Sequence, residues 1–413
     1  TWNESLRFRI NTNTIRDVLT KRKHLALRSI YTRCSKLKNR KIFDILDSIA
    51  LSATEPDIVA RTLAQVADAL AAFAGRGSGI RSGPSRNIKW SGALSKLSNE
   101  STRAQGVREM AKLRDKALQD GSSDSLIRAA RHYEGSAQRL ILFSTHTCKK
   151  FIRSISSSSS LKPLCENEWA VATSPARIDL AGGWSDTPPI TFEHGGCVTN
   201  LALKLSGKRP VGARARVLPE PILLLVVGNE TIRCEKMADV KDHNTPHAPA
   251  ALLKCALLAI GILDMSRSET FVEQLDRCPG LGSKGRRGLE IRSWSDLPQG
   301  SGLGTSSILA GCLVACAARA ACIELNRSEI VHAVLLAEQL LSTGGGWQDQ
   351  VGGIYPSAKI GKSSAKLPVF VETKTISMPS GFHDTLGQHL VLVYTGRQRL
   401  ARNLLQNVVR RWY

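Results

Sequence analysis

The stretch LPQGSGLGTSSILAG (297–311) puts glycine at 300, 302 and 304 and hydroxyls at Thr305, Ser306 and Ser307, just before a helix-like apolar run. Several chemistries place that much bare backbone there. A P-loop needs a Lys beside its Ser/Thr to reach the terminal phosphates. No Lys occurs between Lys284 and Lys359. A dinucleotide fingerprint needs G-x-G-x-x-G, and Thr305 stands where its third glycine belongs. Two readings stay open. One is an anion cradle, where backbone N–H groups and the positive helix end meet phosphate and the hydroxyls serve phosphate oxygens or a magnesium ion. The other is a glycine-rich turn with Ser/Thr caps.

A second glycine-rich loop, STGGGWQDQVGG (342–353), carries Asp349. Taken alone, an Asp in such a loop reads as a turn residue. The ten cysteines form no C-x-x-C pair, and Cys312, Cys316 and Cys322 lie in an apolar helical pattern. That spacing argues against a metal cluster and for a reduced, cytoplasmic protein.

The net charge of +22 raises the question of nucleic acid. Residues 1–41 concentrate much of it, with twelve Lys/Arg against two acidic residues. Aromatics are only 5% of the chain and are not interleaved with the basic positions, which argues against a nucleic-acid partner. No run approaches the ~18 apolar residues of a membrane span, and no basic-then-apolar start resembles a signal peptide.

The elements that must carry these loops change character along the chain. Residues 1–40 are basic and unassigned, and 41–155 read as helical. Pro56 stands near the start of one helix, Gly75 just past its end, and further helices are expected over 104–118 and 124–153. The serine run and Pro163 mark 156–164 as a linker. From 165 to 413, strand-like runs (169–182, 197–205, 222–228, 389–396) alternate with helical ones (249–264, 306–325, 327–342). The expected class is an all-helical first part followed by an α/β or α+β domain.

Pro298, Gln299, Gly300, Ser301, Gly302, Leu303, Gly304, Thr305, Ser306 and Ser307 resemble the phosphate loop of the galactokinase–homoserine kinase–mevalonate kinase–phosphomevalonate kinase (GHMP) superfamily. SPARIDLAGGWSDTPPITFEHGG (174–196) resembles the sugar motif of the branch that holds L-fucose kinases and bacterial heptose kinases. STGGGWQDQVGG resembles that branch's catalytic-aspartate loop. IRSGPSRNIKW (80–90), LIRAARHYEGSAQ (126–138), KRPVGARAR (208–216), PHAPAALLK (246–254) and YTGRQRLARNLLQNVVRRWY (394–413) are similar to the fucose-kinase side of the branch, in order.

The resemblance implies a GHMP-kinase N-terminal lobe, of the ribosomal protein S5 domain 2-like fold, preceded by an all-helical segment. It implies ATP and Mg2+ as cofactors, small-molecule partners, no membrane, and phosphoryl transfer to the anomeric hydroxyl of L-fucose. Asp349 becomes the base and Arg177 its cationic neighbour. Asp179, Trp184, Asp186 and Thr187 become sugar-binding residues, residues 298–307 the ATP loop, and Ser306 with Glu338 the magnesium ligands. The superfamily's third glycine-rich motif is not found before Tyr413. A missing C-terminal kinase lobe, and an isolated chain that is poorly soluble or inactive, are therefore expected. The rival readings are a kinase for a heptose or another sugar, a non-catalytic sugar- or nucleotide-binding remnant, and a basic nucleic-acid binder.

Overall fold

The computed structural model describes residues 11–21, 23, 25–75, 88–155, 160–245, 248–282, 285, 287–298, 300–341, 344–394, 396, 408 and 412. The chain divides into two compact units, Thr1–Ser144 with Asn403–Tyr413, and Thr145–Arg402. The division falls ahead of the serine run, whose residues 156–159 lie outside the described residues, as do most of the segments 80–90 and 394–413.

The first unit is helical: α1 (Thr12–Leu19), α2 (Arg28–Lys36), α3 (Lys41–Ser52), α4 (Pro56–Phe73), α5 (Ile88–Leu97), α6 (Glu100–Asp120) and α7 (Ser123–His146). The basic N-terminal stretch joins this unit, since α1 and α2 bury Ile15, Val18, Leu19, Tyr31 and Cys34. Pro56 opens α4, where its missing N–H costs nothing, and Gly75 follows with φ 69°. The helix expected over 124–153 stops at His146 and tightens into a 3-10 turn, Thr147–Phe151. Buried Arg114 of α6 reaches back to both carboxylate oxygens of Asp47 on α3, at 2.7 and 2.9 Å. That bidentate geometry is what makes a buried charge tolerable.

The second unit holds two sheets. Strands β1 (Ala170–Ser174), β2 (Ala176–Ala181), β3 (Gly196–Leu203), β4 (Val211–Leu218), β5 (Leu223–Val227), β6 (Glu230–Cys234), β7 (Gly288–Ser295), β8 (Ala358–Ser363) and β9 (Val371–Thr375) alternate with helices α8 (Ile190–His194), α9 (Ala251–Ala259), α10 (Phe271–Asp276), α11 (Pro279–Gly282), α12 (Thr305–Ala320), α13 (Arg327–Leu340), α14 (Gln348–Ile354) and α15 (Phe382–His389). One sheet has the order β1-β4-β7-β5-β6, with β5 and β7 parallel; the other is the antiparallel β2-β3-β8-β9. The run 169–182, expected as one strand, is cut at Pro175, and its halves enter different sheets. Proline lacks the N–H that a continuous ladder would need.

α12 covers the five-stranded sheet, packing on β1, β4 and β7. Both surfaces are small: Ala213 and Ala215 of β4 are fully buried, as are Ala310 and Val314 of α12. Close approach of helix and sheet follows from that shortage of side-chain bulk. Cys312 and Cys316 are free and buried, behaving as the small apolar residues expected of them. The four-stranded sheet is covered by α14, which packs on β2, β3 and β8.

Among the described residues of 389–396, the expected strand does not form. His389 ends α15, and Leu390–Tyr394 carry no strand pairing, with Val391 81% and Val393 75% exposed. An alternating apolar run becomes a strand only where a sheet edge accepts it.

Candidate active site

Arg177 leaves β2 buried beneath α14, and its guanidinium pairs with two carboxylates, Asp179 on the same strand and Asp349 in the first turn of α14. Two residues along a strand point the same way, so Asp179 reaches Arg177 locally. Asp349 comes from far along the chain and is brought there by α14. Gly352 makes room: a Cβ at that position would fall 2.7 Å from Arg177 Cγ. Burial raises the Asp179 carboxyl above its usual range, the Arg177 charge opposes this, and the Asp349 charge adds to it.

The glycine loop meets this pair. Gly300, Gly302 and Gly304 have φ of 70°, 81° and 73°, while Ser301 and Leu303 between them stay out of the left-handed region. Alternation of this kind turns successive N–H groups toward one side, as in anion-binding nests. Gly304 caps α12 without a side chain, leaving the helix's first N–H groups open. A Cβ on Gly304 would lie 2.8 Å from Asp349 Cγ and 2.9 Å from Arg177 Nε. The loop therefore ends directly against the Arg177–Asp349 pair. Ser301 Oγ, Thr305 Oγ1 and Arg177 Nε are buried with no partner among the described residues. Leu303 packs on the core of Ala176, Val211, Leu297 and Ile308. Pro298 is exposed, and Gln299 lies outside the described residues, as do Ser342 and Thr343 of the aspartate loop.

The remaining expected residues distribute unevenly. Trp184 is partly exposed, has φ 72°, and its N–H donates to Gln348 Oε1 at 3.0 Å. Asp186 lies beneath the site rather than on its open wall: it is 1% exposed, and its Oδ2 accepts the Gln348 N–H at 2.9 Å. Burial is the main force that pushes its carboxyl up to about 7, with the charges of Asp349 and Asp179 adding to it. Thr187 is buried in the turn that follows, its N–H bonded to Trp184 O. Glu338 on α13 is buried and accepts the hydroxyl of Ser307 at 2.7 Å, whereas the expected partner Ser306 is exposed. The first turn of α12 rotates Ser307, not Ser306, inward, because consecutive helical residues point about 100° apart.

Sequence reasoning missed Gln348, which ties Trp184 to Asp186. It also missed Asn200 and Lys359, buried on β3 and β8 in register with Asp179. Lone polar residues in strands carry no spacing signal. Among the described residues, no group of three or more His, Cys, Asp or Glu is gathered as for a metal ion, and no helix is long and apolar enough to cross a membrane.

Residues 269–356, which run from α10 through the glycine loop to the end of α14, match the family model of the GHMP kinases N terminal domain. This segment is similar to a GHMP kinase N-terminal domain. The chain is 36% identical over 240 residues to the bifunctional fucokinase/GDP-fucose pyrophosphorylase of Arabidopsis thaliana, covering 58% of this chain and 21% of that protein. It is 31% identical over 238 residues to the L-fucokinase/L-fucose-1-P guanylyltransferase of Bacteroides fragilis, covering 57% of this chain and 25% of that protein. The chain thus spans about a fifth to a quarter of the length of these relatives. Among solved structures, Lactococcus lactis galactokinase complexed with galactose matches at 15% identity and TM-score 0.36, covering 52% of this chain and 48% of that one. The matched residues hold β7 and α10–α14 of the mixed α+β unit, which follows the helical unit along the chain.

Proposed function

We propose that the site transfers the γ-phosphoryl group of ATP to the anomeric hydroxyl of L-fucose, giving L-fucose 1-phosphate. The observation that carries this reading is the packing of Gly304, the cap of the phosphate-loop helix, against the Arg177–Asp349 pair. Phosphoryl transfer asks the protein for in-line positioning, charge neutralisation and a proton acceptor. The loop's N–H groups and the α12 N-terminus hold the phosphates. Asp349 faces the acceptor hydroxyl and receives its proton. Arg177 pairs with Asp349 and offsets charge on the transferring oxygens. Asp179 and Trp184 line the acceptor side.

The donor set near Glu338 suits a magnesium ion, which prefers hard oxygens and keeps several waters. Glu338 and Ser307, with Ser306 beside them on α12, would hold it, and the ion would neutralise phosphate charge. The fucokinase names of the two curated relatives support L-fucose as the acceptor.

Incubation of the purified chain with ATP, Mg2+ and L-fucose, read by phosphorus NMR with a heptose as the competing acceptor, tests this: L-fucose 1-phosphate supports the reading and overturns the expectation of an inactive isolated chain. Preference for the heptose would move the reading to the other side of the branch. Calorimetry that finds ATP and fucose binding without turnover would favour a non-catalytic remnant. Salt-sensitive RNA binding with no fucose response would overturn the reading altogether.

A further inference from the structure

Lys359 of β8 is fully buried, and the phosphoryl-transfer reading makes no use of it. Its ammonium donates to the main-chain carbonyls of Gly352, at 2.6 Å, and Ser357, at 3.0 Å. Gly352 lies in the last turn of α14, where carbonyls have no partner within the helix and the helix end is negative. At the opposite end of α14 the buried carboxylate of Asp186 accepts the Gln348 N–H. The helix that carries Asp349 is therefore held by an acid at its start and a cation at its close. Gly352 is also the surface across which the Arg177 side chain runs on its way to Asp349. Filling this position with a lysine is costly, because an apolar chain of similar length would pack without desolvating a charge. Burial, reinforced by the Arg177 charge, brings the ammonium down to about 7.

We propose that Lys359 is a positioning residue: by fixing the main chain at Gly352 and Ser357 it sets α14, and with it the Asp349–Arg177 pair, against the phosphate loop. The proposal rests on Asp349 being the proton acceptor. Lys359 acts through the backbone that it holds, on the sheet face it shares with Asp179 and Asn200.

The test compares the full chain with Lys359→Met and with Lys359→Gln, which keeps a donor but no charge. Two readouts are taken, amide hydrogen exchange across α14 and steady-state kinetics with ATP and L-fucose. In Lys359→Met, amides 351–355 should exchange about tenfold faster or more while β3 stays near wild type. The kcat should fall about tenfold to a hundredfold with KM for ATP little changed, and the Gln variant should lie between. A lysine that merely fills the core would lower Tm and leave kcat per folded molecule as it was. Unchanged exchange in α14 overturns the proposal, and so does faster exchange with wild-type kcat. Should the Met variant fail to fold, the Gln variant decides by the same criteria. A wild-type chain that transfers no phosphoryl group contradicts the functional reading instead, and localised exchange in α14 still decides whether Lys359 anchors the helix.

Discussion

Asp186 and Lys359 grip the two ends of α14, and they titrate in opposite senses. Asp186 is raised to about 7 from an ordinary 3.8, so the folded chain holds its proton more tightly than the unfolded one. Its contribution to stability is full below about pH 4 and is lost as pH rises through 7. Lys359 is lowered to about 7 from 10.5, so its contribution is full above that ordinary value and is lost as pH falls through 7. Together they place a shallow stability minimum near neutrality. Denaturant melts at pH 5, 7 and 9 check this: Asp186→Asn should flatten the acid side and Lys359→Met the alkaline side. An unaltered profile in both variants would refute the buried, perturbed state of these groups.

Arg177 makes a separate prediction at this scale. Its fork serves two carboxylates at once, which an ammonium cannot copy. Arg177→Lys should therefore reduce kcat by ~10²-fold or more, the scale of losing one donor aimed at developing charge. Arg177 and Asp349 were singled out through the resemblance of the motifs that hold them, and the structure pairs them. Gln348, Asn200 and Lys359 were not legible, since their importance lies in which backbone or strand they meet across the fold.

At the scale of elements, glycine spacing was more informative than strand patterning. The two-and-two spacing of Gly300, Gly302 and Gly304 excluded the dinucleotide loop, as the missing Lys excluded the P-loop, and the structure gives all three glycines positive φ. Strand patterning, in contrast, hid the break at Pro175 and invited a strand over 389–396 that no sheet edge receives. Alternation of apolar residues reports that one face can be buried, not what buries it. The helix α5 went unseen because its short apolar pattern follows a glycine-rich loop. Gly304→Ala tests the loop's junction directly. The new methyl would clash with Asp349 and Arg177 and would force a left-handed alanine, a strain of about 1–2 kcal/mol. A drop in kcat far larger than the change in Tm is expected; a variant with wild-type kcat would detach the loop from the reaction.

For the whole molecule, the exposed run Leu390, Val391, Leu392, Val393 and Tyr394 stands out, being apolar, β-prone and without strand pairing among the described residues. Such segments invite edge-to-edge association. Val391→Lys combined with Val393→Lys should delay light scattering on concentration without altering the melting of α12 and its sheet. If aggregation persists unchanged, some other surface is responsible. The +22 charge has a structural outlet as well. Arg214, Arg216 and Arg292 lie over Trp169, and Glu290 pairs with Arg216 and Arg292, so part of the basic surface is engaged within the five-stranded sheet. Composition counted these arginines as free charge because pairing across strands is invisible to it.

The central claim is that Asp349 receives the acceptor's proton at a phosphate loop braced by Arg177. Its most direct measurement is the rate of L-fucose 1-phosphate formation by Asp349→Asn beside wild type, with both proteins matched for fold by Tm. The account predicts a loss of ~10²–10⁴-fold in kcat, the range of a positioned acid–base group. A near-wild-type rate in the folded variant would contradict it.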